Sequence, residues 1–147
     1  MEYLSNANAS NFNVHALQAF RVNETNYGDS FSKIGKRSFL VFKHNKYLTV
    51  PTEDIACFYI KYSTSIIVCF DKQEYALNYS LDRIQELLSG QQFYRVNRQF
   101  LINFTAVKEV EHYFARKLLV NLAVPIKEKL LVSKEKAKSF LNWLENR

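Results

Sequence analysis

Ile55-Ala56-Cys57-Phe58-Tyr59-Ile60-Lys61-Tyr62-Ser63-Thr64-Ser65-Ile66-Ile67-Val68-Cys69-Phe70 contains two β-prone runs, Ile55 to Lys61 and Ile66 to Phe70. The polar Tyr62-Ser63-Thr64-Ser65 between them predicts a hairpin, and a third run, Glu74 to Leu77, returns through Asp71-Lys72-Gln73. These three strands form a small antiparallel meander. Upstream, Phe39-Leu40-Val41-Phe42-Lys43 and Tyr47-Leu48-Thr49-Val50 flank His44-Asn45-Lys46, a connection of hairpin length. Proline cannot donate to a ladder, so Pro51 ends this hairpin and Pro51-Thr52-Glu53-Asp54 opens a short helical turn.

Downstream the period changes. In Ser80-Leu81-Asp82-Arg83-Ile84-Gln85-Glu86-Leu87-Leu88-Ser89-Gly90, the residues Leu81, Ile84, Leu87 and Leu88 share one helix face. Ser80 is placed to cap its start and Gly90 to take a left-handed position after its end. Two further strands, Ala106 to His112 and Lys117 to Leu122, surround Tyr113-Phe114-Ala115-Arg116 as another hairpin. Ala123 to Lys129 is an exposed connection, and Leu130-Leu131-Val132 leads into a last helix. There Ser133 caps, Ala137, Phe140, Leu141 and Leu144 make the apolar stripe, and Lys134 and Lys138 lie on its flank. The fold class expected is mainly β with small helices (α+β): elongated antiparallel hairpins and sheets, a mid-chain amphipathic helix and a C-terminal helix.

A chain of 147 residues makes about one domain. Hydrophobic residues at 48%, with twelve Phe, nine Tyr and one Trp, exclude disorder throughout. The net charge of +6 is unevenly spread. Residues 1–30 hold Arg21 against Glu2, Glu24 and Asp29, a net of −2, which leaves +8 on residues 31–147 and favours a polyanionic partner for that part. Residues 1–36 read as an Asn/Ser-rich linker or tail, with Val14, Ala16, Leu17 and Phe20 forming a short helical stripe. Cys57 and Cys69 lie in apolar runs without metal or redox spacing, and neither a signal peptide nor a membrane-length apolar run is present. A cytoplasmic protein with no membrane partner is expected.

Enzyme chemistry finds no foothold. The histidines His15, His44 and His112 have no partners at metal-ligand spacing, and three glycines cannot build a phosphate-cradling loop. Glu53-Asp54 suits a helix start, and Glu109 and Glu111 alternate on a strand's solvent face. No catalytic residue, metal or cofactor is expected.

The segment Phe93-Tyr94-Arg95-Val96-Asn97-Arg98-Gln99-Phe100-Leu101-Ile102-Asn103 closely resembles the F-x-R-x-[HN]-[RK]-[SQ]-x-[LI]-[VI]-N signature of LytTR domains. Pro51-Thr52-Glu53-Asp54-Ile55 resembles that family's approach to its second hairpin, and Leu131-Val132-Ser133-Lys134 its V-S-R step into the last helix. The likeness runs from Phe39 to Leu144, so residues 37–147 are expected to form a LytTR-like domain. The resemblance implies a DNA-binding output module of bacterial response regulators that sets loops in successive major grooves and bends the duplex. It also implies a receiver domain, here missing or separate because residues 1–36 are too short for one, and a homodimer on promoter direct repeats.

Carried over by position, the base-contacting residue of the signature is Arg98, with Asn97 and Arg95 beside it. A guanidinium fork suits guanine O6 and N7, or a phosphate. Arg95 can alternatively brace the loop by binding carbonyls, and Asn97 can read adenine or cap the loop. A second contacting loop falls at Ser63-Thr64-Ser65, with the hydroxyls of Thr64 and Ser65 as its candidates. The third falls at Lys134, where the family usually has arginine; a point charge there suits phosphate better than bases. Ser133, Lys136 and Lys138 surround the same helix N-terminus, itself attractive to phosphate. Phe100, Leu101, Ile102 and Phe104 are expected in the core. The competing readings are a protein-interaction adaptor built on the same β fold, which would bind through sheet edges or the Asn-rich tail, and RNA binding through exposed rings.

Overall fold

Four consecutive residues of the central strand, Ile55 to Phe58, are buried, which a strand with one wet face does not allow. In the computed structural model, which describes residues 35–147, this strand lies inside a sheet covered on both faces. The strands are β1 (Ser38–Lys43), β2 (Lys46–Pro51), β3 (Ile55–Lys61), β4 (Thr64–Cys69), β5 (Glu74–Leu77), β6 (Phe93–Arg95), β7 (Phe100–Asn103), β8 (Val107–Tyr113), β9 (Lys117–Leu122) and β10 (Leu130–Val132). Helix α1 (Leu81–Leu87) sits mid-chain and α2 (Lys134–Glu145) closes it. All pairings are antiparallel, in three sheets: β1-β2, β5-β4-β3-β7-β6 and β10-β9-β8.

The five-stranded sheet separates two cores. On one face Ile55, Phe58, Ile67 and Leu101 pack with Phe39, Val41 and Val50 of the first hairpin and with Leu81 and Ile84 of α1. On the other, Cys57, Val68, Phe100 and Ile102 meet Leu118 and Val120 of β9, Leu130 and Val132 of β10, and Phe140 and Trp143 of α2. Each ring removed from water contributes about 1.5–3 kcal/mol. Phe58 meets Phe39 and Phe93 at centroid distances of 5.3 and 5.7 Å, and Tyr94 meets Trp143 at 5.1 Å. At the end of β7 the buried Asn103 ties strands together: its Nδ2 donates to the Ile55 carbonyl (2.8 Å), while its Oδ1 accepts from the Thr105 N–H (3.0 Å) and from Gln92.

The expected hairpins, meander and two helices all form, with local differences. Lys46 pairs with Lys43, so the first turn is only His44-Asn45, both with positive φ. The second turn is likewise Tyr62-Ser63, which moves Thr64 and Ser65 out of the connection and into β4. Ser80 caps α1 through its hydroxyl (Arg83 N–H, 3.1 Å), but Gly90 is not left-handed. The helix ends at an extended Leu88 whose side chain is buried, and the Gly90 carbonyl instead accepts the Trp143 indole N–H at 2.9 Å. That bond also explains α2: Trp143 is 8% exposed and Leu141 44%, so the buried stripe runs through Trp143 and not Leu141.

Gly35 and Lys36 are already packed, two residues ahead of the expected boundary at 37. The Lys36 N–H donates to the Leu87 carbonyl (2.7 Å), and at Gly35, with φ +82, a Cβ would come within 2.6 Å of the Ser89 nitrogen. The expected tail and its helical stripe otherwise fall at 1–34, outside the described residues. No helix among the described residues is long and apolar enough to cross a membrane.

Asn103→Ala should lower stability by about 2–3 kcal/mol, because it leaves a buried carbonyl and N–H without partners. Urea unfolding should show a lower midpoint at unchanged slope. Burial, aided by the Glu74 charge, pushes the Cys57 thiol up to about 12; burial, then Asp71 and Asp54, pushes Cys69 up to about 11. Both should ignore a thiol reagent at pH 8 until the chain is unfolded. Since both titrate higher folded than unfolded, their contribution to stability is whole below the ordinary thiol value of 9.0 and is lost as pH climbs through the folded values.

Candidate nucleic-acid interface

The pairing of Arg95 with Leu101 leaves Val96-Asn97-Arg98-Gln99 as the loop between β6 and β7. Val96 is buried and its N–H closes the loop on the Phe100 carbonyl at 3.0 Å. Asn97 caps from within: its Oδ1 accepts from the N–H groups of Gln99 (2.8 Å) and Phe100 (3.0 Å), and its Nδ2 donates to the Leu131 carbonyl (3.3 Å). Arg95 clamps the loop from outside the turn. Its Nε donates to the Asn97 carbonyl (2.7 Å) and its Nη2 to the Arg98 carbonyl (2.9 Å). Nη1 reaches Asp82 Oδ1 (2.8 Å) and Gln85 Oε1 (3.1 Å) on α1. The Asp82 carboxylate is exposed, so this ion pair positions more than it stabilises. Lys136 of α2 completes the clasp, its Nζ donating to the Arg95 carbonyl at 2.9 Å.

The two readings left open for Arg95 and Asn97 thus resolve toward bracing and capping. Asn97 spends its polar atoms on backbone, Arg95 divides its own between backbone and the α1 side chains Asp82 and Gln85, and Lys136, expected to face a phosphate, also turns to backbone. Arg98 is the opposite case: its carbonyl is held but its exposed guanidinium bonds to no described residue. A loop immobilised by these backbone contacts presents one arginine from a backbone with little freedom to lose on binding.

Beside it, β10 delivers the N-terminus of α2. Ser133 holds the N-cap position, but its hydroxyl makes no capping bond, contrary to expectation, and is exposed together with Lys134 and Lys138. Loop and helix start share an open concavity of about 520 Å³, lined among others by Asn97, Arg98, Ser133 and Lys117. Lys117, the first residue of β9, escapes a sequence reading because it lies far from the signature in the chain; only the β8-β9-β10 pairing brings it there.

The tip of the β3-β4 hairpin lies nearby, the Ile60 N–H donating to the Gln99 carbonyl at 3.1 Å. Ser65 does not belong to it. In β4 it pairs with Ile60 and Leu77, is 3% exposed, and its hydroxyl is buried without a partner, so the contact expected there is corrected. Thr64 stays exposed, and the missed residue of this tip is Tyr62, 91% exposed. Among the described residues no cluster of three or more His, Cys, Asp or Glu side chains could hold a metal ion.

The family model of the LytTr DNA-binding domain matches residues 45–145. Among solved structures, the fold is similar to a Bacillus cereus chain described as the LytTr DNA-binding domain of a methyl-accepting/DNA response regulator. The TM-score is 0.64 at 21% sequence identity, over 75% of this chain and 98% of that one. No match was found among curated proteins.

Asn97→Ala removes the acceptor of two loop N–H groups. The amides of Gln99 and Phe100 should then exchange with solvent at least about tenfold faster, while those of the β3-β4 pair keep their protection.

Proposed function

The chain belongs to the LytTR family of DNA-binding domains, and from that premise we propose that it regulates transcription by reading a specific double-stranded sequence through the major groove. The observation that carries this reading is Arg98, exposed and bonded through its side chain to no described residue, on a loop that Arg95, Asn97 and Lys136 hold. Its fork reads guanine, or anchors on phosphate where the step lacks guanine. Ser133, Lys134 and Lys138 at the α2 N-terminus grip the backbone alongside, helped by the helix dipole. Thr64, the first residue of β4 beside the Tyr62-Ser63 turn, supplies the second contact, and engagement of successive grooves bends the duplex. Two copies pair on direct repeats, and a receiver domain, attached or separate, supplies the signal, as the response-regulator context of the Bacillus cereus chain supports.

A second reading, the protein-interaction adaptor, is favoured by one surface. Leu40, Phe42 and Tyr47 are 62, 56 and 69% exposed on one face of the β1-β2 hairpin. A complex that survives nuclease in cell extract, with no shift of any duplex, would establish it instead.

Fluorescence anisotropy on duplexes selected from a random library tests the first reading. Arg98→Ala should reduce discrimination against a mismatched guanine position by about 1–3 kcal/mol. Lys138→Ala should weaken specific and random duplexes alike and reduce the slope of log K on log[salt] by about 0.9. Salt-independent or undetectable binding sinks the proposal.

A further inference from the structure

The β8-β9 hairpin ends in Phe114-Ala115-Arg116, a turn in which Ala115 and Arg116 both take φ 61. Left-handed backbone at two consecutive non-glycine residues costs about 1–2 kcal/mol each, so this tip is shaped against local preference. What the shape displays is a ring. Phe114 is 73% exposed, while the Tyr113 ring supports it from behind at 4.9 Å. Two ammonium groups clasp the pair. Lys117 Nζ lies 6.0 Å from the Phe114 centroid; Lys129 Nζ lies 5.2 Å from that of Tyr113 and donates to its hydroxyl at 3.1 Å. Arg116 is exposed and its side chain bonds to no described residue. The nearest carboxylate on β8, Glu111, accepts instead from Asn121 at 2.6 Å, and residues 112–119 contain no acid.

Position supplies the link to function: Lys117 lines the same concavity as Arg98 and Ser133. We propose that the β8-β9 tip is a further duplex-contacting element, in which Phe114 packs on a deoxyribose and Arg116 and Lys117 hold the flanking phosphates. An apolar ring flanked by cations, on a hairpin tip whose own residues 112–119 include no acid, matches a strand that alternates sugar with phosphate charge. It does not match an ordinary apolar protein surface, against which the cations would be stranded. The inference rests on the DNA-binding reading and extends it to a loop outside the signature.

The test uses the full chain, a duplex selected from a random library, hydroxyl-radical footprinting and anisotropy across salt. Phe114→Ala should expose a short run of sugars at the edge of the footprint and weaken binding about tenfold at unchanged salt slope. Phe114→Leu should restore most of the loss, and Arg116→Gln should lower the slope by about 0.9. Equal thermal midpoints show that the variants fold. If the wild type binds and footprints the duplex and Phe114→Ala does the same with equal affinity, the tip proposal is overturned and the DNA-binding reading stands. If the wild type protects no duplex, both fall.

Discussion

Everything in this molecule depends on keeping one sheet dry on both sides. β3 presents Ile55 and Phe58 to one core and Ala56 and Cys57 to the other, so neither face can be left to water. The first hairpin and α1 cover one face; β8 to β10 and α2 cover the other. The irregular pairing between Ile55 and Cys57 lets the strand serve both layers, and Asn103 closes the seam through the Ile55 carbonyl. Because packing at this density transmits displacements of a methylene, anything anchored to these strands inherits their rigidity.

The signature loop uses that rigidity. β6 and β7 bring its ends together, but four residues that must turn and present a side chain leave carbonyls and N–H groups unpaired. Arg95, Asn97 and Lys136 satisfy them, from three different elements. One arginine is therefore internal and its neighbour, three positions on, external. The division of labour follows from the pleat: Arg95 lies on a strand and folds back over α1, whereas Arg98 sits at the apex with no strand to constrain it. An apex arginine on a stiff loop is suited to recognition because the backbone that carries it need not be ordered at the moment of contact, only its side chain.

Aromatic residues divide in the same way. Phe39, Phe58, Phe100 and Phe140 are fully enclosed or nearly so, while Tyr62, Phe114, Phe42 and Tyr47 lie at or beside hairpin turns and stay wet. Three of these hairpins turn on non-glycine residues with positive φ. The exposed rings and the strained turns occur together, which separates them from core side chains that happen to reach the surface.

Most strands and both helices were legible in the residues themselves, since alternation, Pro51, Ser80 and the α1 periodicity are local signals that local physics decides. So was Arg98, through the signature. Turn ends were less so: Tyr62-Ser63 carries none of the Asn-Gly chemistry that marks a two-residue turn, and Ser65 was thus placed at a tip instead of inside a sheet. Gly90 and Leu141 misread for a common reason, that Trp143 spans α2 to the end of α1, a contact no window of sequence contains. The sequence by itself determined most of the strands, both helices, and which loop carries the guanidinium, while β6 and β7 within Phe93–Asn103 became strands only in the folded sheet. Only the tertiary structure decided that Arg95, Asn97 and Lys136 face inward and that Lys117 joins Arg98. Those outcomes depend on where distant carbonyls and cations meet, and long-range geometry leaves no periodic trace in the chain.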